Sequence, residues 1–226
     1  MVRPAACLFD LDGLLLDTEP LHAEAWQRAS SHFGRELQAD ELMALRGRRR
    51  LDCADQVRQW ITASGLQAPS QDELLAVRQP IAEALLVQAQ PMPGARALVE
   101  GCHQLGVPMA LATSSSRSAV ALKAEPHPWI ALIEQRVHGD DPELKRGKPE
   151  PDVFELAAQR LGVSCQHSWA FEDSPAGAQA ALAAGCRVLV MPPPNLPAPE
   201  RNNRYPAGIW RFLEDLSTVL PLLERS

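Results

Sequence analysis

Ala5-Ala6-Cys7-Leu8-Phe9-Asp10-Leu11-Asp12-Gly13 is the stretch on which the fold turns. It opens as an apolar run with no helical period and stops abruptly in acid and glycine, as a short parallel strand buried on both faces does. Such a strand needs parallel neighbours and helices covering it above and below. Val107 to Thr113, Arg136 to His138, Ser168 to Glu172 and Arg187 to Met191 read the same way, with a weaker candidate at Ile209 to Arg211. Between them lie helical stripes that each stop at a glycine: Leu98, Cys102 and Leu105 before Gly106; Val153, Leu156, Ala157, Arg160 and Leu161 before Gly162; Ala178, Ala181, Leu182 and Ala184 before Gly185. The alternation predicts an α/β fold: a doubly wound, Rossmann-like parallel sheet with right-handed crossovers and a ligand crevice at the C-terminal strand ends.

Residues 15–90 break that rhythm, having helical patterns and no strand candidate. Leu21, Ala25, Ala29 and Phe33 share a face before Gly34, Val57 and Ile61 precede Gly65, and Ser70 with Glu73 forms a capping box that opens a further helix. Pro80 is expected to kink or shorten that helix, because it removes a backbone donor and crowds the preceding turn. Pro91-Met92-Pro93-Gly94 reads as the hinge back. The predicted organisation is therefore a catalytic core of 1–14 and 91–226, with a helical cap of 15–90 inserted after the first strand.

The chain has 226 residues, 46% apolar and 22% charged, enough to bury a real core, and its twenty prolines enforce many turns. A net charge of -6 argues against nucleic-acid binding, which needs clustered lysine and arginine. Five scattered cysteines with no C-x-x-C pair read as reduced core thiols. Met1 to Leu8 is too short in apolar content for a secretion signal, and no run is long enough to span a membrane, so a cytoplasmic protein is expected, most simply a monomer.

Asp10 and Asp12 follow the first strand, and alternation along extended chain would aim both at the crevice. Two carboxylates there can divide the labour between nucleophile or metal ligand and proton carrier, or serve only as caps and turn formers. Thr113 with Ser114, Ser115 and Ser116 follows the second strand and precedes a helix, so hydroxyls and free backbone N–H groups can meet a phosphate or simply cap. Lys148 sits in Gly147-Lys148-Pro149-Glu150-Pro151-Asp152, stiffened by two prolines, with Asp152 placed to cap the next helix. Glu172-Asp173 ends another strand beside Ser174-Pro175 and brings more carboxylate to the same edge. Oxygen-only ligands with room for water and phosphate suit Mg²⁺.

Phe9 to Pro20 (F-D-L-D-G-L-L-L-D-T-E-P), Ala112 to Ser116 (A-T-S-S-S), Gly147 to Asp152 (G-K-P-E-P-D) and Phe171 to Gly177 (F-E-D-S-P-A-G) together resemble the four ordered motifs of the haloacid dehalogenase-like hydrolases. The resemblance is to the subfamily of β-phosphoglucomutase, phosphoglycolate phosphatase and sugar-phosphate phosphatases, and it extends over nearly the whole chain. It implies a Mg²⁺-dependent phosphatase of small phosphorylated metabolites. Asp10 would be the nucleophile, and Asp12 the acid and base. Asp10, Asp173 and the backbone carbonyl of Asp12 would hold the metal, with Glu172 a ligand or an acceptor through water. Thr113, Ser114 and Lys148 would bind the phosphoryl group. The presence of Asp12 speaks against dehalogenation, which needs no acid for a departing halide.

In the cap, His22 matches a histidine of that subfamily placed to reach Asp12 or the substrate, Glu19 and Thr18 lie in the D-T-E-P hinge, and Arg50 of Gly47-Arg48-Arg49-Arg50, expected on a cap loop, roughly matches an arginine that grips a second phosphate. The bland readings are a surface histidine and a solvated basic turn. Trp26 and Trp60 read as cap core. Arg78-Gln79-Pro80 departs from the R-K-N pattern of mutases, which favours hydrolysis over the mutase alternative. A metabolite-binding protein without activity is the reading from another class, and the presence of Asp10, Asp12, Lys148 and Asp173 together argues against it.

Overall fold

The computed structural model describes residues 3–194 and 196–224. Its sheet is built from β1 (Cys7–Phe9), β2 (Met109–Ala112), β3 (Gln135–Val137), β4 (Trp169–Glu172), β5 (Arg187–Val190) and β6 (Arg211–Phe212), in the order β3-β2-β1-β4-β5-β6. Every pairing is parallel, with Leu8 opposite both Ala110 and Ala170. The chain winds outward from β1 to β3, then crosses back to β4 and winds the other way. That reversal opens a crevice beyond the ends of β1, β2 and β4.

Side-chain alternation divides the strands between two cores. Cys7, Phe9, Leu111, Phe171 and Leu189 pack on one face with Leu98, Val99 and Cys102, while Leu8, Ala110, Ala112, Ala170, Val188 and Val190 pack on the other with Phe154, Ala157 and Ala181. All five cysteines are buried free thiols.

The insertion consists of α1 (Glu19–His32), α2 (Ala39–Ala44), α3 (Arg50–Ala63) and α4 (Gln71–Leu86). Trp26, Ala29, Val57, Ile61 and Leu74 form its own apolar cluster, and Ala25 against Ala82 lets α1 and α4 approach closely. Ser70 and Glu73 make the reciprocal capping box at the start of α4. Pro80 does not shorten that helix, which continues to Leu86. One proline forfeits one hydrogen bond, and packing of Ala82 and Leu86 against α1 outweighs the loss. Entry and return run side by side: Leu16 bridges Pro91, the Asp17 N–H donates to Gln90 O (2.8 Å), and the Met92 N–H donates to Leu15 O (3.0 Å).

After the insertion come α5 (Ala95–Gln104), α6 (Arg117–Ala124), α7 (Asp152–Leu161), α8 (Pro175–Ala183), α9 (Ala198–Arg204) and α10 (Leu220–Glu224). Pro151, not Asp152, stands at the N-cap of α7. Asp152 is instead drawn to the Arg146 guanidinium at 3.0 Å. Among the described residues no helix is long and apolar enough to cross a membrane.

Candidate active site

Asp10 continues the line of β1, its N–H donating to Phe171 O at 3.0 Å, which fixes the carboxylate at the mouth of the crevice. Lys148 reaches it from the loop beyond β3, with Nζ 2.6 Å from Asp10 Oδ1, and the same ammonium donates to Glu172 at the end of β4. Glu172 is folded back on the start of α8, where its Oε2 accepts from the N–H groups of Asp173 and Ser174 and from the Ser174 hydroxyl. Gly177 makes this possible, because a Cβ there would collide with the Glu172 carboxylate. Asp10, Lys148, Glu172 and Asp173 are all buried.

Asp10, Glu172 and Asp173 each offer an oxygen within 4.8 Å of the others. Burial pushes the Asp10 carboxyl up to about 8 despite the pull of Lys148, with Glu172 and Asp12 adding to the rise. Burial likewise raises Asp173 well above the carboxylate range, against Arg46. Lys148 moves the other way: burial disfavours its charge, but Asp10 and Glu172 hold it more firmly protonated than usual. Three crowded acids thus share too little positive charge. Asp173 Oδ1 is buried with no hydrogen-bond partner among the described residues. An all-oxygen donor set with an orphaned carboxylate oxygen fits a hard divalent cation such as Mg²⁺.

Asp12 lines the same cavity as Asp10, held beyond β1 in a tight bridge to Leu16. Its Oδ1 accepts from Thr18 Oγ1 (2.6 Å), His22 Nε2 (3.1 Å) and Lys123 Nζ (2.5 Å), and its Oδ2 accepts from Ser115 Oγ (2.7 Å) and Lys123 Nζ (2.6 Å). Burial opposes ionisation of this carboxyl, yet Lys123 and His22 hold it well below the usual range. Arg78 donates to His22 Nδ1 at 2.8 Å. Since arginine only donates, His22 carries its proton on Nε2 and passes it toward Asp12 as a neutral ring. Burial, first of all, lowers the His22 pKa.

A cavity of about 570 Å³ covers Asp10 and Asp12 and reaches into the insertion, where Trp26, Arg48, Arg50 and Arg78 line it. Thr113 also lines it, its hydroxyl accepting from the Ser115 N–H. Ser114 lines it as well, and its hydroxyl donates to Gly47 O (2.8 Å), which ties the insertion to the core. Gly47 has φ +73°, and a Cβ there would strike Ser174. Glu19 is an ion-pair partner of Arg46 (3.1 Å), whose other contact is Asp173 Oδ2 at 2.7 Å. Burial pushes Glu19 up to about 7. Arg50 opens α3 instead of sitting in a loop; it is exposed and bonded to Gln79 Oε1 at 2.9 Å. Trp26 is cap core as read, but it also carries the Arg78 guanidinium over its ring at 4.7 Å.

Sequence reasoning passed over the contacts of Lys123, Arg46 and Arg78. Lys123 had a signal: it falls three residues after Val120 on the face α6 buries, where a charge demands a partner. Arg46 and Arg78 had none, since their partners lie 127 and 56 residues away.

Comparison with known proteins agrees with this geometry. Residues 4–185 match the haloacid dehalogenase-like hydrolase family, and the chain belongs to it. It is therefore an enzyme of the hydrolase class with the parallel-sheet fold of that family. It is 34% identical over 194 residues to (DL)-glycerol-3-phosphatase 2 of Arabidopsis thaliana, covering 84% of this chain and 80% of the relative. It is 36% identical over 197 residues to a probable pseudouridine-5'-phosphatase of Drosophila melanogaster, covering 84% and 82%. Among solved structures, a HAD family hydrolase from Deinococcus radiodurans R1 with bound phosphate and sodium superposes with a TM-score of 0.74 at 27% identity, over 99% of this chain and 97% of that one.

Proposed function

We propose that this enzyme is a phosphatase of small phosphorylated metabolites, sugar phosphates foremost, which works with Mg²⁺ through an aspartyl-phosphate on Asp10. The observation that carries the reading is the state of Asp10 itself. One oxygen is held by Lys148, while Oδ2 has no hydrogen bond among the described residues and the residue lines the cavity. That free oxygen is the nucleophile. It forms a bond to phosphorus as the bond from phosphorus to the substrate oxygen breaks, and Asp12 supplies the proton to the departing alkoxide. The resting Asp12 is ionised; an arriving phosphate dianion raises its proton affinity. Water then attacks the same phosphorus, the Asp10–phosphorus bond breaks with its electron pair returning to the carboxylate, and Asp12 takes the proton.

Lys148 and Thr113 neutralise and orient the phosphoryl oxygens, and Lys148 also holds Asp10 for attack. Asp10, Asp173 and the Asp12 carbonyl, with Glu172 as ligand or acceptor through water, would hold Mg²⁺, which would supply the positive charge that the acids lack. The relatives named as phosphatases, and the phosphate in the Deinococcus structure, support the same chemistry. Buried free thiols suit a cytoplasmic enzyme, and a monomer has a complete set of these groups.

The test is phosphate release from a panel of hexose, pentose and polyol phosphates with Mg²⁺, using Asp10→Asn as the blank. Release from several esters, lost in the variant, is expected; tight binding of one metabolite with no release sinks the reading. Arg50, whose one hydrogen-bond partner among the described residues is the neutral Gln79, favours a second reading as a sugar-phosphate mutase. Conversion of glucose 1-phosphate to glucose 6-phosphate without net phosphate release would establish it.

A further inference from the structure

Of the three lysines in the chain, Lys148 serves the phosphoryl site and Lys123 is the other that is buried. Lys123 is fully enclosed at the end of α6, on the face that also buries Val120. All three of its N–H donors are used, on Asp12 Oδ1 (2.5 Å), Asp12 Oδ2 (2.6 Å) and Ser115 Oγ (2.8 Å). Desolvating an ammonium costs several kcal/mol even when paired, so packing alone would favour methionine or leucine here. The charge is directed at a single group.

The donors around Asp12 come from two directions. Thr18 and His22 belong to the chain that enters the helical insertion, whereas Ser115 and Lys123 belong to the core beyond β2. Contacts from the insertion depend on how it sits over the cavity. Contacts from the core do not. The Ser115 hydroxyl donates to Oδ2 while accepting from Lys123, so the core side alone restrains both carboxylate oxygens.

We propose that Lys123 is a positioning residue that fixes the Asp12 carboxylate to the core in the orientation required by the water that hydrolyses the aspartyl-phosphate. The inference rests on the phosphatase reading and deepens it. In that step water oxygen bonds to phosphorus, the Asp10–phosphorus bond breaks, and the water proton passes to Asp12; a carboxylate free to rotate would meet the water only part of the time. Lys123 touches neither substrate nor water and acts only through Asp12.

The experiment uses the full chain with Mg²⁺ and p-nitrophenyl phosphate, whose leaving group needs little protonation, so that phosphorylation of Asp10 depends weakly on Asp12. Lys123→Met is expected to release about one nitrophenolate per site in a burst, followed by turnover roughly 10- to 100-fold slower than wild type, the lower part of what a positioned base contributes. Because only the second step is slowed, kcat and KM fall together and kcat/KM stays within about 3-fold, with Lys123→Arg recovering much of the loss. A folded Lys123→Met with wild-type kcat, or one that loses kcat/KM at unchanged KM, overturns the proposal. Should Lys123→Met fail to fold, Ser115→Ala slackens the same restraint and is expected to lower kcat and KM together by roughly 3- to 10-fold; no change there overturns it equally. A wild-type enzyme that releases neither nitrophenolate nor phosphate sinks the phosphatase reading itself, and this inference with it.

Discussion

On the sheet side of the cavity Asp10 and Glu172 share the Lys148 ammonium and Asp173 pairs with Arg46, while on the insertion side neither the buried Arg78 nor the exposed Arg50 has a carboxylate hydrogen-bond partner among the described residues. Burial drives both sides toward the uncharged form, raising Asp10 to about 8 and lowering Arg78 to about 10. Each side is short of the opposite charge. On the proposed phosphatase reading a magnesium-bound phosphate ester would relieve both, the cation answering the acids and the anionic ester answering the guanidinium groups. The sheet side would then govern the chemistry and the insertion side what is admitted.

Lys148→Met tests the sheet side most severely, since it strips the counterion from Asp10 and Glu172 together. Phosphate release should fall by about 10³-fold at saturating substrate, in the range seen when a charge-stabilising donor is removed. A loss confined to KM would mean that Lys148 only binds. Gly47→Ala tests how the two sides meet. A Cβ at φ +73° would run into Ser174, so the insertion must lift from the core and kcat/KM should drop roughly 10- to 100-fold, with the thermal midpoint nearly unchanged. Equal losses of stability and activity would show that the contact is structural.

Asp141→Asn is the control outside both sides. Asp141 is buried, and chiefly through hydrogen bonds from Arg160 (2.7 and 2.9 Å) its pKa is lowered. A carboxyl depressed by folding adds stability above its unfolded pKa of about 3.9 and loses it as pH falls through the folded value. Chemical denaturation at pH 7 should therefore show the variant less stable by about 2 kcal/mol, with the gap closing below about pH 4 and kcat unaltered. A gap that widens in acid would refute the assignment.

The sheet was legible because each strand is an apolar run closed by acid, hydroxyl or glycine. The groups on the sheet side were legible because they sit within one to three residues of those strand ends: Asp10 after Phe9, Thr113 after Ala112, Glu172 and Asp173 at the end of β4. Lys148 was found through its prolines and its motif. The insertion offered periodicity, which yields helices but not their mutual rotation. That is why the Arg78 contact with His22 went unseen and why Arg50 was assigned to a loop. Pro80 does not shorten its helix, because the α1 surface overrides a local propensity weighed alone. Asp12 shares the cavity with Asp10 as alternation suggested, but the strand itself ends at Phe9, and the donors that gather on the Asp12 carboxylate were not visible in the pattern.

The antiparallel pairing of Leu16 with Pro91 brings the two crossings between core and insertion to the same spot. Ends pinned together leave the loop-closure entropy only weakly dependent on how much chain lies between them. The helices beyond that junction can be lengthened, trimmed or exchanged with little strain on the register of β1. A scaffold spliced in this way keeps one hydrolytic apparatus while its doorway is remade for a different guest.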